Sequence, residues 1–156
     1  MISICFSPRI ADLTHMNMQY NKYLAMIEEK VKSIISEILD IEENNLSKDT
    51  DLIKEIGAES IDLLEIAISL EKGFGIKVDE NRLFLKSFRY YLDEVKNKKV
   101  DEINYLNEIY PFLDKKRIKE LIEESKNSII PSIRIKDIVS YVQWTIGKDN
   151  KKKKEH

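Results

Sequence analysis

The chain has 156 residues, 42% hydrophobic and 35% charged, with only four glycines and three prolines, which suits a single helical domain with room for an insertion more than a strand-and-turn fold. Cys5 is the only cysteine, which excludes an intrachain disulfide and a thiol-rich metal site; His15 and His156 are the only histidines and neither lies near a nucleophile, so Ser-His or Cys-His hydrolase chemistry has little to build on. The formal charge of −2 is unevenly spread: Glu28 to Glu71 holds thirteen acids against four bases, Lys72 to Gly147 fifteen bases against twelve acids, and the tail a further excess of base, so the front half repels nucleic acid and steers basic protein surfaces toward it.

Met1 to Tyr20 shows no clear periodicity and reads as an N-terminal extension, residues 1–20, behaving as a mobile arm, with Met16 or Met18 as alternative starts. Its opening MISICF is too short for a signal sequence, and no run approaches the roughly 18–20 apolar residues that crossing a bilayer requires. A cytoplasmic chain without stable membrane insertion is expected. Leu24, Ile27, Val31, Ile34, Ile35 and Ile38 then recur at three- and four-residue steps, the stripe of a first helix.

The following IEENNLSKDTDLIKEIGAE loses that periodicity and reads as a long ordered loop anchored by Leu46, Leu52 and Ile56. Its Asp49-Thr50-Asp51 spacing lacks the third acidic ligand and the turn glycine of a calcium loop, so no metal is assigned. Ser60 to Lys72 forms a second helix, closed by Gly73 and Gly75 around Phe74. Ile61, Leu64 and Ile68 occupy one of its faces and Leu63, Ile66, Ala67 and Leu70 another. One face packs on the first helix, and the other needs a ligand, a partner or a further helix.

Three more helical segments follow: Leu83 to Val95, Val100 to Tyr110 stopped by Pro111, and Asp114 to Lys126 with Asp114 as N-cap. Ile135, Ile138, Val139, Val142 and Ile146 mark a last helix, with Gly147 as its expected cap. Residues 148–156 read as a basic disordered tail and receive no function.

The segment IGAESIDLLEIAISLEKGFGIKV, Ile56 to Val78, resembles the attachment region of bacterial acyl carrier proteins, whose pattern is a Gly-Ala/Gly-Asp-Ser-Leu stretch followed by a helix ending in Phe-Gly-Ile. IEEKVKSIISEILDIEENNLSKDTDL upstream resembles the family's first helix and loop, and IKDIVSYV, Ile135 to Val142, its last helix. The resemblance implies an all-α, four-helix carrier bundle in which Ser60 receives 4'-phosphopantetheine from coenzyme A and then carries acyl groups as thioesters. On local sequence alone Ser60 also reads as a plain N-cap. Glu59 stands where the family has aspartate, Ile61 where it has leucine, and Lys72 and Gly73 where acidic residues are common.

The resemblance further implies that Glu59, Asp62, Glu65 and Glu71 meet basic docking surfaces, and that Ile61, Leu64 and Ile68 contact partners or the acyl chain, with Leu64, Ala67 and Ile68 near a cavity mouth. The expected partners are a phosphopantetheinyl transferase and acyl-loading, acyl-transfer or condensing enzymes. The carrier itself is a monomer and not an enzyme, working in fatty-acid, lipid or related biosynthesis. Residues 21–147 are expected to form one carrier domain, departing from the family in a helical insertion at about 84–131 that holds Phe84, Phe88, Tyr90, Tyr91, Tyr105, Tyr110 and Phe112. Packing on the bundle, an enlarged acyl cavity and a dedicated docking site are its alternative roles. An aminoacyl or peptidyl carrier and an unmodified protein-binding adaptor are the alternative functions.

Overall fold

A computed structural model describes residues 10–155, all helices and connections apart from one isolated antiparallel bridge between Asp51 and Arg134. The helices are α1 (Ile10–Leu39), α2 (Ser60–Phe74), α3 (Glu80–Leu83), α4 (Phe88–Lys98), α5 (Glu102–Ile109), α6 (Lys115–Ser125) and α7 (Ile135–Lys154), with a short 3-10 turn at Glu43–Asn45. Among the described residues no helix is long and apolar enough to cross a membrane.

Three boundaries differ from the sequence reading. Helix α1 starts at Ile10, well before the apolar stripe that marks it, so the part of the supposed arm from Ile10 to Tyr20 is helical; residues 1–9 lie outside the described part. Leu13, Met16, Met18 and Tyr20 are exposed there, which is why no core-facing periodicity announces this stretch. Helix α7 likewise runs through Gly147 to Lys154, with Glu155 as its C-cap, so Gly147 is interior and most of the basic tail is helical. Lys151 to Lys154 fill its last turn, where positive charge offsets the negative end of the helix dipole. Finally, the Leu83 to Val95 segment divides into α3 and α4, because Leu85 takes a left-handed φ of 52° and turns the chain between them.

Helix α1 packs against both α2 and α7, and the short α3 packs on α7. The buried stripes are Ile27, Val31 and Ile35 of α1, Leu63, Ile66, Ala67 and Leu70 of α2, and Ile135, Ile138, Val139 and Val142 of α7. Each large apolar side chain removed from water here contributes about 1.5–3 kcal/mol. Helix α2 passes close to α1 at Gly73, where a Cβ would meet the side-chain ends Ile34 Cδ1 at 3.3 Å and Lys30 Cε at 3.4 Å. Two residues on, Gly75 ends the helix in the left-handed conformation (φ 63°), its N–H donating to the Glu71 carbonyl.

The extra helices pack in series, α4 on α5 and α5 on α6, and their buried residues join the same hydrophobic core as the bundle. Four of the seven aromatics in this stretch, Phe84, Phe88, Tyr110 and Phe112, are buried in it. A run of ring contacts leads from Phe88 through Tyr110 (5.9 Å between centroids) and Phe112 (6.2 Å) to Tyr141 of α7 (5.1 Å). Tyr141 then accepts a 2.8 Å hydrogen bond on its hydroxyl from the Asp79 N–H at the start of α3.

A buried ion pair makes the second link between the extra helices and the bundle. Arg117 of α6 and Asp137 of α7 are 5% and 1% exposed, and the guanidinium meets the carboxylate through two parallel bonds, Nε to Oδ1 at 2.9 Å and Nη2 to Oδ2 at 3.0 Å. Nη2 also donates to the Ser132 carbonyl at 3.0 Å, while Nη1 reaches Glu120 and Glu124 at 3.3 and 3.4 Å. Burial works to lower the arginine pKa, but the Asp137 bond, backed by the charges of Asp137, Glu124 and Glu120, outweighs it and holds the pKa above its ordinary value. Asp137 completes its bonding by accepting from the Arg134 N–H, capping the start of α7.

Asp137→Ala leaves the guanidinium buried without its main counter-charge and is expected to cost about 3–5 kcal/mol. The combined Arg117→Met, Asp137→Leu variant, which removes both charges, recovers most of that loss; urea unfolding of the two variants tests the difference.

Candidate functional site

The start of α2 is positioned by the loop before it, and Asp51 organises that loop. Its carboxylate is buried; Oδ1 accepts from the N–H groups of Ile53 and Lys54, both at 2.9 Å, and Oδ2 accepts from the Ser132 hydroxyl at 2.6 Å. This is a turn closed by a carboxylate, with the neighbouring Asp49 turned instead toward Lys136 at 2.9 Å. The Lys136 hydrogen bond holds Asp49 below its ordinary pKa.

Backbone pairing carries the position onward. Leu52 donates to the Ile133 carbonyl and accepts from the Ala58 N–H, both at 2.9 Å, while Gly57 donates to Ile53 at 3.0 Å. Ile135 and Lys136 at the head of α7 donate to Thr50 and Lys48. Gly57 takes a φ of 78°, a conformation that glycine reaches without the Cβ penalty, and the turn it permits delivers Ala58 into the core and Glu59 to the helix entry.

Glu59 is the N-cap and Ser60 the first helical residue, so the plain N-cap reading of Ser60 gives way. Capping falls to Asp62, whose Oδ2 accepts from the Glu59 N–H at 2.7 Å. Ser60 is exposed, and among the described residues its hydroxyl makes no hydrogen bond. Intrahelical bonding begins at Leu63, which donates to the Glu59 carbonyl at 3.1 Å; the first-turn N–H groups ahead of it leave the positive end of the helix open beside Ser60.

The two apolar faces of α2 separate as their spacing suggests. Leu63, Ile66, Ala67 and Leu70 are buried, whereas Ile61, Leu64 and Ile68 are 63%, 40% and 42% exposed, an apolar strip running from Ser60 along the solvent side. Ala67 faces the core and does not accompany Leu64 and Ile68 at the surface. The four acids differ in the same way. Glu59 and Glu65 are exposed, but Asp62 is engaged in the cap and Glu71 accepts from the Val78 N–H at 2.8 Å, bracing the α2–α3 connection.

Sequence reasoning did not find Asp51, Arg117, Ser132 or Asp137. Asp51 and Ser132 are 81 residues apart, and Arg117 and Asp137 are 20 apart on different helices, so no local pattern joins them. The one local signal is Asp137 three residues after Arg134, the spacing of a helix-entry cap.

A family model described as "Phosphopantetheine attachment site" matches residues 29–87, from within α1 to the residue before α4. An acyl carrier protein of Thermotoga maritima is 45% identical over 51 residues, 33% of this chain and 63% of that protein. One from Buchnera aphidicola subsp. Acyrthosiphon pisum is 36% identical over 73 residues, 46% of this chain and 91% of the relative, and one from Nitratidesulfovibrio vulgaris is 33% identical over 55 residues, 35% of this chain and 72% of the relative. An exposed serine hydroxyl, free of internal hydrogen bonds at an open helix N-terminus, fits the covalent phosphate linkage that such a prosthetic group requires. The chain belongs to the acyl carrier protein family, whose prosthetic group is covalently attached 4'-phosphopantetheine.

Proposed function

We propose that Ser60 is the attachment residue and that the chain carries acyl groups for lipid or related biosynthesis, delivering them to enzymes that dock on the solvent face of α2. The observation that carries this reading is the contrast within one turn of helix: Asp62 performs the capping, leaving the Ser60 hydroxyl exposed and without an internal bond. Coenzyme A is the donor and a phosphopantetheinyl transferase the first partner. Ser60 Oγ bonds to phosphorus and gives its proton to a base on the transferase, while the nucleotide part of coenzyme A leaves. The resulting anionic diester lies at the positive end of α2, an interaction of about 0.3–1 kcal/mol at an exposed site. Once bound, the arm supplies a terminal thiol for thioester formation, and the partner enzymes supply the acids, bases and nucleophiles.

Recognition is assigned to the Ile61, Leu64 and Ile68 strip together with the exposed Glu59 and Glu65, Glu59 also facing the Asp62 N–H in a reciprocal cap at the helix start. Asp62 and Glu71 also lie on this helix, but their internal bonds make them primarily positioning residues. We take residues 21–147 as one carrier domain and the stretch at about 84–131 as an insertion that braces the bundle. The buried Arg117–Asp137 pair and the aromatic run into Tyr141 support that role.

Intact-mass measurement after incubating the apo protein with coenzyme A and a broad-specificity phosphopantetheinyl transferase is expected to show one phosphopantetheine-sized increase, absent in Ser60→Ala. An unchanged wild-type mass would favour the unmodified adaptor, and equal labelling of Ser60→Ala would remove the assignment of Ser60. Glu65→Lys and Ile68→Asp alter exposed positions, so each is expected to lower the transferase kcat/KM by about tenfold through lost docking while helix content by circular dichroism stays unchanged.

A further inference from the structure

At the end of α2 remote from Ser60, about 20 Å away along the helix axis, a second surface carries the opposite charge. A cleft of about 330 Å³ opens between the α2–α3 connection, α3 and the second half of α7, and Lys77, Arg82, Lys148 and Lys152 all line it. Trp144 lies among them. Arg82 sits over its ring at 5.6 Å from the centroid and Lys148 at 4.3 Å. These contacts hold the two cations by the face of the indole and leave their N–H donors unspent.

Two carboxylates, Asp79 and Asp149, share the lining, yet among the described residues none of the four cations has a carboxylate within 4.0 Å. Asp79 instead caps α3, its Oδ1 accepting from the Arg82 N–H at 3.3 Å. The cleft therefore has an excess of two positive charges, set against the acidic face at the other end of α2. Lys148 and Lys152 are spaced i,i+4 on α7, where like charges repel by a few tenths of a kcal/mol on an isolated helix. An anion between them would relieve that repulsion and use the free donors.

We propose that this cleft binds a phosphate group with net negative charge, borne either by a small molecule or by an anionic phospholipid headgroup, with Arg82 and Lys148 as the principal donors and Lys77 and Lys152 closing the charge around it. A guanidinium and ammonium groups converging on one cleft suit phosphate oxygens, the arginine through its planar fork and the lysines as point charges. The site is separate from Ser60 and does not depend on its modification.

Trp144 is the only tryptophan of the chain, so its fluorescence reports directly on the cleft. The full-length protein is titrated in parallel with inorganic pyrophosphate, with phosphatidylglycerol vesicles, with phosphatidylcholine vesicles, and with sodium chloride at matched ionic strength. A saturable change in emission with pyrophosphate assigns a soluble phosphate ligand, and one with phosphatidylglycerol alone assigns a headgroup. Either response is expected to weaken about tenfold or more in the Lys148→Gln, Lys152→Gln variant, both positions being exposed, and to persist in Ser60→Ala. Arg82→Gln provides a second variant on a different helix, with circular dichroism reporting that both remain folded. The proposal is overturned if neither pyrophosphate nor phosphatidylglycerol gives a saturable change, if sodium chloride or the zwitterionic phosphatidylcholine reproduces it, or if folded variants respond as the wild type does.

Discussion

The buried pair between Arg117 and Asp137 is the contact on which the rest of the arrangement depends, because it ties α6 to α7 and, through the Ser132 carbonyl, reaches the segment that holds the loop before α2. An arginine shielded from water requires nearly every donor to be met, and here the carboxylate, the Ser132 carbonyl and two glutamates meet them. Satisfying the guanidinium orients the Ser132–Ile133 segment. That segment holds Asp51 through the Ser132 hydroxyl and Leu52 through the Ile133 carbonyl. Leu52 in turn receives Ala58, two residues before Ser60. A few hydrogen bonds thus run from α6 to Ala58, two residues before the proposed attachment residue.

Helix α2 serves two surfaces at once, and its high apolar content follows from that. The buried face supplies cohesion with α1 and α7. The exposed strip of Ile61, Leu64 and Ile68 leaves apolar area in water, an arrangement that makes sense when a second molecule covers it. The acids around it divide between internal bonding and solvent, so the charge available to a partner is narrower than the helix composition suggests.

The extra helices do not sit apart from this bundle. Their buried aromatics continue its core through Phe112, Tyr141 and Trp144, and Trp144 brings the same contact run out to the basic cleft. The exposed acids Glu59 and Glu65 and the basic cleft consequently lie toward opposite ends of α2, on one continuous hydrophobic core.

Sequence by itself determined the helical class, the inward stripes of α1 and α7, and the place of Ser60 at a helix entry. Each is a local property, set by three- and four-residue periodicity or by a short motif. It also indicated that Ile61, Leu64 and Ile68 form a face distinct from Leu63, Ile66 and Leu70, since that follows from helical geometry alone. Which face is buried was decided only when α1 and α7 closed over one of them. The start of α1 and the continuation of α7 past Gly147 were not legible, because exposed helix ends carry no core-facing stripe. The tertiary structure alone decided the bonds between Asp51 and Ser132 and between Arg117 and Asp137, and the meeting of Lys77, Arg82 and Lys148 in one cleft. Charged groups far apart in the chain pair or cluster only after the apolar core has brought their helices together.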